Sequence, residues 1–93
     1  MEQEQQELTE QQKVLILMER WQQAEPAHYK ARIKTLCDQQ NIKPRHLVEL
    51  LSIKRSKASS FTNPLHQGRI EFYDAVRLAE LLKVKVENFL EET

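Results

Sequence analysis

Glycine, proline and cysteine are scarce in this chain of 93 residues, which holds one glycine, three prolines and one cysteine. Tight two-residue hairpins usually need glycine, so little of the chain is suited to antiparallel strands. We therefore expect an all-α fold. A single cysteine also excludes an internal disulfide bond, which favours a reducing compartment and predicts a cytoplasmic protein.

Long apolar runs and clusters of catalytic or metal-binding residues are missing as well. The longest apolar run, residues 14–18, has five residues, whereas a membrane-spanning helix needs about 20, so no membrane segment is predicted. His28, His46 and His66 lie far apart, and no group has the spacing of a zinc site. The chain has no glycine-rich phosphate loop and no plausible Ser/His/Asp set. We therefore predict no cofactor, no metal and no enzymatic activity.

Charge of either sign is balanced over the whole chain but unevenly placed along it. The net charge is zero. Residues 1–25 and 71–93 carry six acids each, whereas residues 26–70 carry nine bases and two acids. A basic middle third can present a positive face to a polyanion such as nucleic acid. The alternative is an ordinary solvated helix surface.

Apolar residues recur at helical spacing in successive segments. Residues 1–8 are nearly all Glu and Gln and are predicted to be disordered. Within residues 9–25 we expect an amphipathic helix, because Thr9 and Gln12 can form a capping box before an apolar stripe. That stripe consists of Val14, Leu17, Met18 and Trp21. Pro26 and Pro44 suit the first turns of two further helices, and Cys37 falls on an inward stripe that predicts a buried thiol.

Residues 44–61 have the pattern of a helix-turn-helix. Two short helices that cross at a fixed angle need a few apolar inward positions, and the second helix needs a polar outward face to enter the major groove. The inward positions are Leu47, Leu51, Ile53, Ala58 and Phe61. The outward positions are Arg55, Ser56, Ser59 and Ser60. No acid lies between Leu51 and Arg69, so no carboxylate on this segment would repel phosphates.

Two segments resemble one family of DNA-binding proteins. The segment from Arg32 to Phe61, which ends in Ile53-Lys54-Arg55-Ser56-Lys57-Ala58-Ser59-Ser60-Phe61, is similar to the Cro/cI (lambda-repressor-like, XRE) helix-turn-helix family. The segment from Phe72 to Leu90 resembles the last two helices of that family. The resemblance implies a five-helix DNA-binding domain over residues 26–93, with residues 54–63 as the recognition helix and residues 9–25 as an additional N-terminal helix.

The chain departs from the family pattern within the helix-turn-helix. Pro44 stands where many members have a glutamine that contacts a phosphate, and Val48 stands where the usual residue is alanine. Ser52 replaces the usual glycine of the tight turn, at a cost of about 1 kcal/mol if the backbone there needs a positive φ. Lys43 and Lys54 occupy capping positions, where a nearby phosphate would relieve their conflict with the helix dipole.

The resemblance also implies roles for individual residues. Arg55 lies where the recognition helix commonly reaches a base edge, and arginine on guanine is the commonest specific contact. The candidate base contacts are Arg55, Ser56, Ser59 and Ser60. A flexible lysine ammonium suits the charge of a phosphate better than the hydrogen-bonding pattern of a base edge. The candidate phosphate contacts are Lys43, Lys54, Lys57, Asn63 and Arg69. For each of these the alternative is an exposed surface residue without a ligand.

The additional helix leaves two interpretations open. Its stripe of Val14, Leu17, Met18 and Trp21 either enlarges the core or offers a surface to a second copy or a regulatory protein. One recognition helix touches only a few base pairs, so we expect a homodimer on double-stranded DNA. The function expected is that of a bacterial or phage-type transcriptional regulator, a repressor in the first instance. The rival is an antitoxin-like or accessory protein-interaction module that reuses the fold.

Overall fold

Helices make up the regular secondary structure of residues 8–91, which are the residues that the computed structural model describes. The elements are α1 (Glu10–Gln23), α2 (Pro26–Gln39), α3 (Pro44–Leu51), α4 (Arg55–Phe61), α5 (Phe72–Leu82) and α6 (Glu87–Leu90). The all-α prediction is confirmed for this part of the chain. The segment predicted to be disordered, 1–8, lies outside the described residues except for the exposed Leu8. None of these helices is both long enough and apolar enough to cross a bilayer.

Local sequence determines where the first three helices begin. The Thr9 hydroxyl accepts the Gln12 N–H at 3.1 Å, and the Gln12 side chain accepts the Thr9 N–H at 2.9 Å. This is the predicted capping box, and it starts α1 at Glu10. Pro26 and Pro44 occupy the first positions of α2 and α3. A proline there costs no hydrogen bond, because the first N–H groups of a helix have no partner within it.

One apolar core joins all six helices. Helix α2 packs against α4 and α6, α3 packs against α4, and α1 packs against α5. The buried apolar side chains are Trp21, Tyr29, Ile33, Cys37, Leu47, Leu51, Ala58, Phe61, Ile70, Ala75, Leu78, Ala79, Leu82, Val86 and Phe89. The predicted inward positions of the helix-turn-helix are therefore buried, apart from Ile53, which is half-buried. The thiol of Cys37 is buried as predicted.

Helix α1 joins this core through its C-terminal half alone. Trp21 is 2% exposed, whereas Leu17 and Met18 are half-buried. Residues 8–16 are exposed throughout, and among them Leu15 keeps 63% of its surface in solvent. The predicted apolar stripe is thus buried at one end and open at the other, because the rest of the fold extends along only part of α1.

The loop between α4 and α5 is anchored by buried polar groups of α1 and α2. The Trp21 indole donates to the Ile70 carbonyl at 2.6 Å, and the Ile70 N–H donates to the Tyr29 hydroxyl at 2.9 Å. The fully buried Lys30 donates to the His66 carbonyl at 3.0 Å. Burial lowers the pKa of Lys30 because it disfavours the charged ammonium. These bonds satisfy donors and acceptors that would otherwise be costly inside the fold.

Candidate nucleic-acid interface

Helices α3 and α4 form a helix-turn-helix unit with its turn at Ser52. Ser52 follows the last residue of α3 and has φ 55° and ψ 49°, the left-handed conformation. The Ile53 N–H donates to the Val48 carbonyl at 3.3 Å, which closes the end of α3. The chain then enters α4 at Arg55. The departure from glycine noted at Ser52 therefore falls on a residue that does need a positive φ.

The outward face of α4 is polar and open to solvent. Arg55, Ser56 and Ser59 are exposed, and their side chains form no hydrogen bond with any other residue in the range 8–91. Ser60 is half-buried, and its hydroxyl donates to the Lys57 carbonyl at 3.0 Å, so it is less available for a base. Asn63 is exposed beyond the C-terminal end of α4, where its Oδ1 accepts the Leu65 N–H.

Helix α4 is shorter than the helix that the sequence predicted. It covers Arg55–Phe61 rather than residues 54–63. Lys54 is the N-cap residue, with extended backbone, and Thr62 is the C-cap. Asn63 therefore belongs to the following loop and lies off the helical face.

Most bases of the middle third are engaged within the fold. Lys30 is buried, as described above. Lys34 pairs with Asp38 at 2.9 Å along α2. Arg32 lies 3.7 Å from the Glu91 carboxylate and donates to the Asn88 carbonyl at 3.3 Å, so it fastens α6 to α2. The excess of positive charge counted along the sequence is therefore larger than the excess that faces solvent.

Lys57 is also engaged, although we expected it to contact a phosphate. Its ammonium lies 3.0 Å from Oδ2 of Asp74, whose side chain is 7% exposed. The Lys57 side chain is 45% exposed, so its stem runs along the surface while its charge meets a carboxylate of α5. Because of this ion pair, we remove Lys57 from the set of phosphate-contacting candidates.

Arg69 caps α1 instead of facing a phosphate. Its Nη2 donates to the carbonyls of Trp21, Gln22 and Ala24, at 2.8, 2.5 and 3.0 Å. The last carbonyls of a helix have no partner within it, and a cation there also matches the helix dipole. We therefore remove Arg69 from the candidate set too, since its guanidinium is used to hold α1 against the loop before α5.

Four bases of the middle third remain, and all lie at the starts of α3 and α4. They are Lys43, Arg45, Lys54 and Arg55. Each is exposed, and none has an ion-pair partner among residues 8–91. Helix N-termini carry a partial positive charge of their own, so bases and dipoles act in the same sense there.

Sequence reasoning missed two members of this region. Arg45 was counted as a base but not chosen as a candidate, although its position one residue after Pro44 places it in the first turn of α3. His46 caps α3, since its Nδ1 accepts the Lys43 N–H at 2.9 Å. The signal for that cap was its position three residues after the N-cap, where a side chain can reach back.

Trp21 does not belong to a partner surface, which corrects one of the two interpretations of α1. Its ring stacks on Tyr29, with centroids 4.0 Å apart and an interplanar angle of 16°. It also lies 6.3 Å from the Phe89 ring. Of the predicted stripe only Val14 is exposed, at 46%. The apolar residues that stay exposed in this part of the chain are Val14, Leu15 and Ile16 of α1 and Leu8, which precedes it.

Neither a metal-type cluster of side chains nor a reactive thiol is present among residues 8–91. No three side chains of His, Cys, Asp or Glu come together within residues 8–91 as a metal site would need. Burial, together with the nearby Asp38 carboxylate, raises the pKa of the Cys37 thiol to about 11. This thiol is therefore protonated at neutral pH and is a poor nucleophile.

No family model matches the chain, and neither a curated protein nor a solved structure matches it. The chemistry of the surface itself therefore carries the interpretation. Exposed arginine and serine side chains on one face of α4 suit hydrogen bonding to base edges. The bases at the starts of α3 and α4 suit phosphates on either side of a groove.

Proposed function

We propose that this chain is a helix-turn-helix protein that binds double-stranded DNA and regulates transcription. Helices α2 to α6 then correspond to the five-helix lambda-repressor-like domain, with α1 as an addition. Helix α4 enters the major groove, where Arg55, Ser56 and Ser59 meet base edges. The starts of α3 and α4 meet phosphates through Lys43, Arg45 and Lys54.

The observation that carries this proposal is the position of those bases of the middle third that have no ion-pair partner among residues 8–91. The middle third has nine bases, and five of them are buried or bonded within the described fold. The remaining four all fall in the helix-turn-helix unit and flank the outward face of α4. Random placement of solvated charge gives no reason for such a concentration, whereas phosphate binding needs it.

A homodimer is part of the same proposal. A seven-residue helix in a groove covers only a few base pairs, and proteins of this kind reach useful affinity by placing two copies on adjacent half-sites. The dimer contact that we favour involves the open apolar residues of α1, for example Leu15, in place of the buried Trp21. We also propose that the chain works in the cytoplasm and without a cofactor.

Duplex titration at several salt concentrations tests the proposal. We expect micromolar or tighter binding to a random 20-base-pair duplex at low salt, with affinity falling steeply as salt rises. Selection from genomic fragments then yields a preferred site. Arg55→Ala should weaken binding to that site by about 1–3 kcal/mol and relax discrimination at one base pair of each half-site.

The matched control is Arg20→Ala, which removes the same charge from an exposed position in the last turn of α1. It should leave both affinity and discrimination unchanged. Equal weakening on the preferred and the scrambled duplex would make Arg55 a phosphate contact. If Arg55→Ala changes neither affinity nor discrimination, the assignment of α4 as the recognition helix is contradicted.

A second candidate function rests on the open apolar surface of α1. Leu8, Val14, Leu15 and Ile16 are each at least 46% exposed, and a cluster of exposed apolar residues in one short segment favours a contact with another protein. On this alternative the chain is an antitoxin-like or accessory protein-interaction module. Absence of any salt-dependent shift of duplex, with stable co-purification of one defined protein that Leu15→Ser abolishes, would favour it.

A further inference from the structure

We infer that Asp74 is a positioning residue, which binds Lys57 and thereby keeps its charge away from DNA while fixing α4 against α5. The inference rests on the proposed function, since it concerns how the recognition helix is presented. It also reverses the role that the sequence suggests for Lys57. The observations that carry it are the burial of Asp74, the geometry of the ion pair and the absence of a competing partner.

Asp74 is buried to a degree that demands a counter-charge. The residue is 5% exposed, and its Oδ2 is completely shielded from solvent without any hydrogen bond of good geometry. The Lys57 ammonium, 3.0 Å away, compensates the negative charge of this oxygen. Removing the counter-charge of a buried carboxylate leaves an uncompensated charge inside the fold, which is costly.

The nearest base along the sequence does not serve Asp74. Arg77 lies three residues further along α5, a spacing that often gives an ion pair. Its guanidinium instead lies 5.7 Å from the centroid of the Tyr73 ring, as a cation–π contact. Lys57 is therefore the ion-pair partner of Asp74 within residues 8–91.

The bond crosses between two elements, and this gives it a consequence for recognition. Lys57 belongs to α4 and Asp74 to the first turn of α5. A tether at this point restrains rotation of α4 about its own axis, so the face with Arg55 and Ser59 stays outward. The pair is neutral as a unit, so it contributes no counterion release when DNA binds.

The experiment compares salt slopes of duplex binding for three single variants. We expect Lys57→Ala to leave the slope unchanged. Lys54→Ala, the matched control at the N-cap of α4, should lower the slope by about 1, as loss of one phosphate contact does. Asp74→Asn should raise it by about 1, because the released ammonium can then reach a phosphate. If Lys57→Ala lowers the slope as Lys54→Ala does, Lys57 contacts DNA directly and the inference is overturned.

A second measurement is independent of DNA. Urea midpoints of Lys57→Ala, Asp74→Asn and the double variant form a cycle. We expect the double variant to lose clearly less than the sum of the two single losses, because each single change already breaks the pair. Additive losses would overturn the inference. If Lys57→Ala does not fold, Lys57→Met keeps the apolar stem and completes the cycle. Absence of duplex binding in every protein would overturn the proposed function, while the cycle still decides whether Asp74 holds Lys57.

Discussion

At the scale of single residues, the left-handed backbone at Ser52 has a cost that glycine would not carry. Left-handed φ and ψ bring Cβ of an L-residue too close to its own backbone. We expect Ser52→Gly to raise the free energy of unfolding by about 0.5–1 kcal/mol, the strain relieved exceeding the added entropy of the unfolded chain. Urea unfolding at fixed pH measures it.

The control for Ser52→Gly is the same substitution inside a helix. Ser60 lies in α4 with ordinary helical surroundings, so Ser60→Gly should lower the free energy of unfolding by about 0.5 kcal/mol. A loss of stability in both variants would mean that the backbone at Ser52 is not strained.

The buried thiol of Cys37 predicts a pH effect of definite sign. Its pKa is raised from 9.0 to about 11 in the folded protein, so between these values the folded state retains a proton that the unfolded state has lost. The contribution of the Cys37 thiol to the free energy of unfolding is therefore fully present below pH 9 and is lost as the pH rises towards 11. The stability difference between wild type and Cys37→Ala should shrink by about 2 kcal/mol from pH 8 to 11. A constant difference over that range would contradict the assignment.

Ion pairing at single residues is also what the sequence could not predict. Charge can be counted along a chain, but the partner of each charge is set by tertiary packing. The residues near Lys57 in sequence do not indicate that it pairs with Asp74, which lies seventeen positions away. Those near Arg69 likewise do not indicate that it bonds to the end of α1. Arg55, by contrast, could be chosen from sequence because it begins the second helix of the helix-turn-helix pattern.

At the scale of elements, the sequence predicts helix starts better than helix packing. A helix start depends on the backbone next to a few residues, here Thr9, Pro26 and Pro44. Their effects are local and can therefore be predicted from the sequence. The apolar stripe of α1 was harder, because burial depends on how far the rest of the fold extends along that helix. The same limit applies to Leu78 and Ile70, whose burial depends on contacts distant in sequence.

Helix α1 therefore offers a contrast between two apolar residues. Trp21→Ala removes a stacked ring and a buried hydrogen bond, and should lower the free energy of unfolding by about 3–5 kcal/mol. It should do so without a direct effect on self-association. Leu15→Ser should change stability by less than about 0.5 kcal/mol, but should lower the apparent mass if α1 mediates the dimer.

Thermal unfolding and sedimentation of both variants decide between the two roles. If Leu15→Ser proves strongly destabilising, the open half of α1 is not open in solution. If Trp21→Ala unfolds the chain completely, Trp21→Phe keeps most of the ring and still removes the indole bond to Ile70.

At the scale of the whole molecule, stability should be graded from the core to the free end of α1. Residues 10–16 have no buried side chain, so their amides can open without disturbing the core. The amides of Ile33 to Cys37 and of Ala75 to Leu82 should exchange only through global unfolding. Hydrogen exchange followed by mass spectrometry measures this gradient, and equal protection along α1 would show that a partner covers its N-terminal half.

The neutral overall charge takes a different meaning at this scale. Acidic ends and a basic middle are not simply averaged in the folded chain, because packing neutralises some bases and leaves others unpaired. The net charge of zero therefore does not argue against binding a polyanion. On the proposed function, the local field at α3 and α4, rather than the total charge, governs the encounter with DNA.

The burial of Trp21 also makes the molecule its own spectroscopic reporter. It is the one tryptophan in the chain, so indole fluorescence arises from a single place, where α1, α2 and the loop before α5 meet. Emission will be blue-shifted while the ring is shielded and will shift to the red when α1 separates from the rest. The ring lies inside the fold, and α4 does not contribute to its hydrogen bond. Adding duplex to the native protein should therefore leave the emission maximum unchanged. A shift of the emission maximum during the titration would show that binding affects α1.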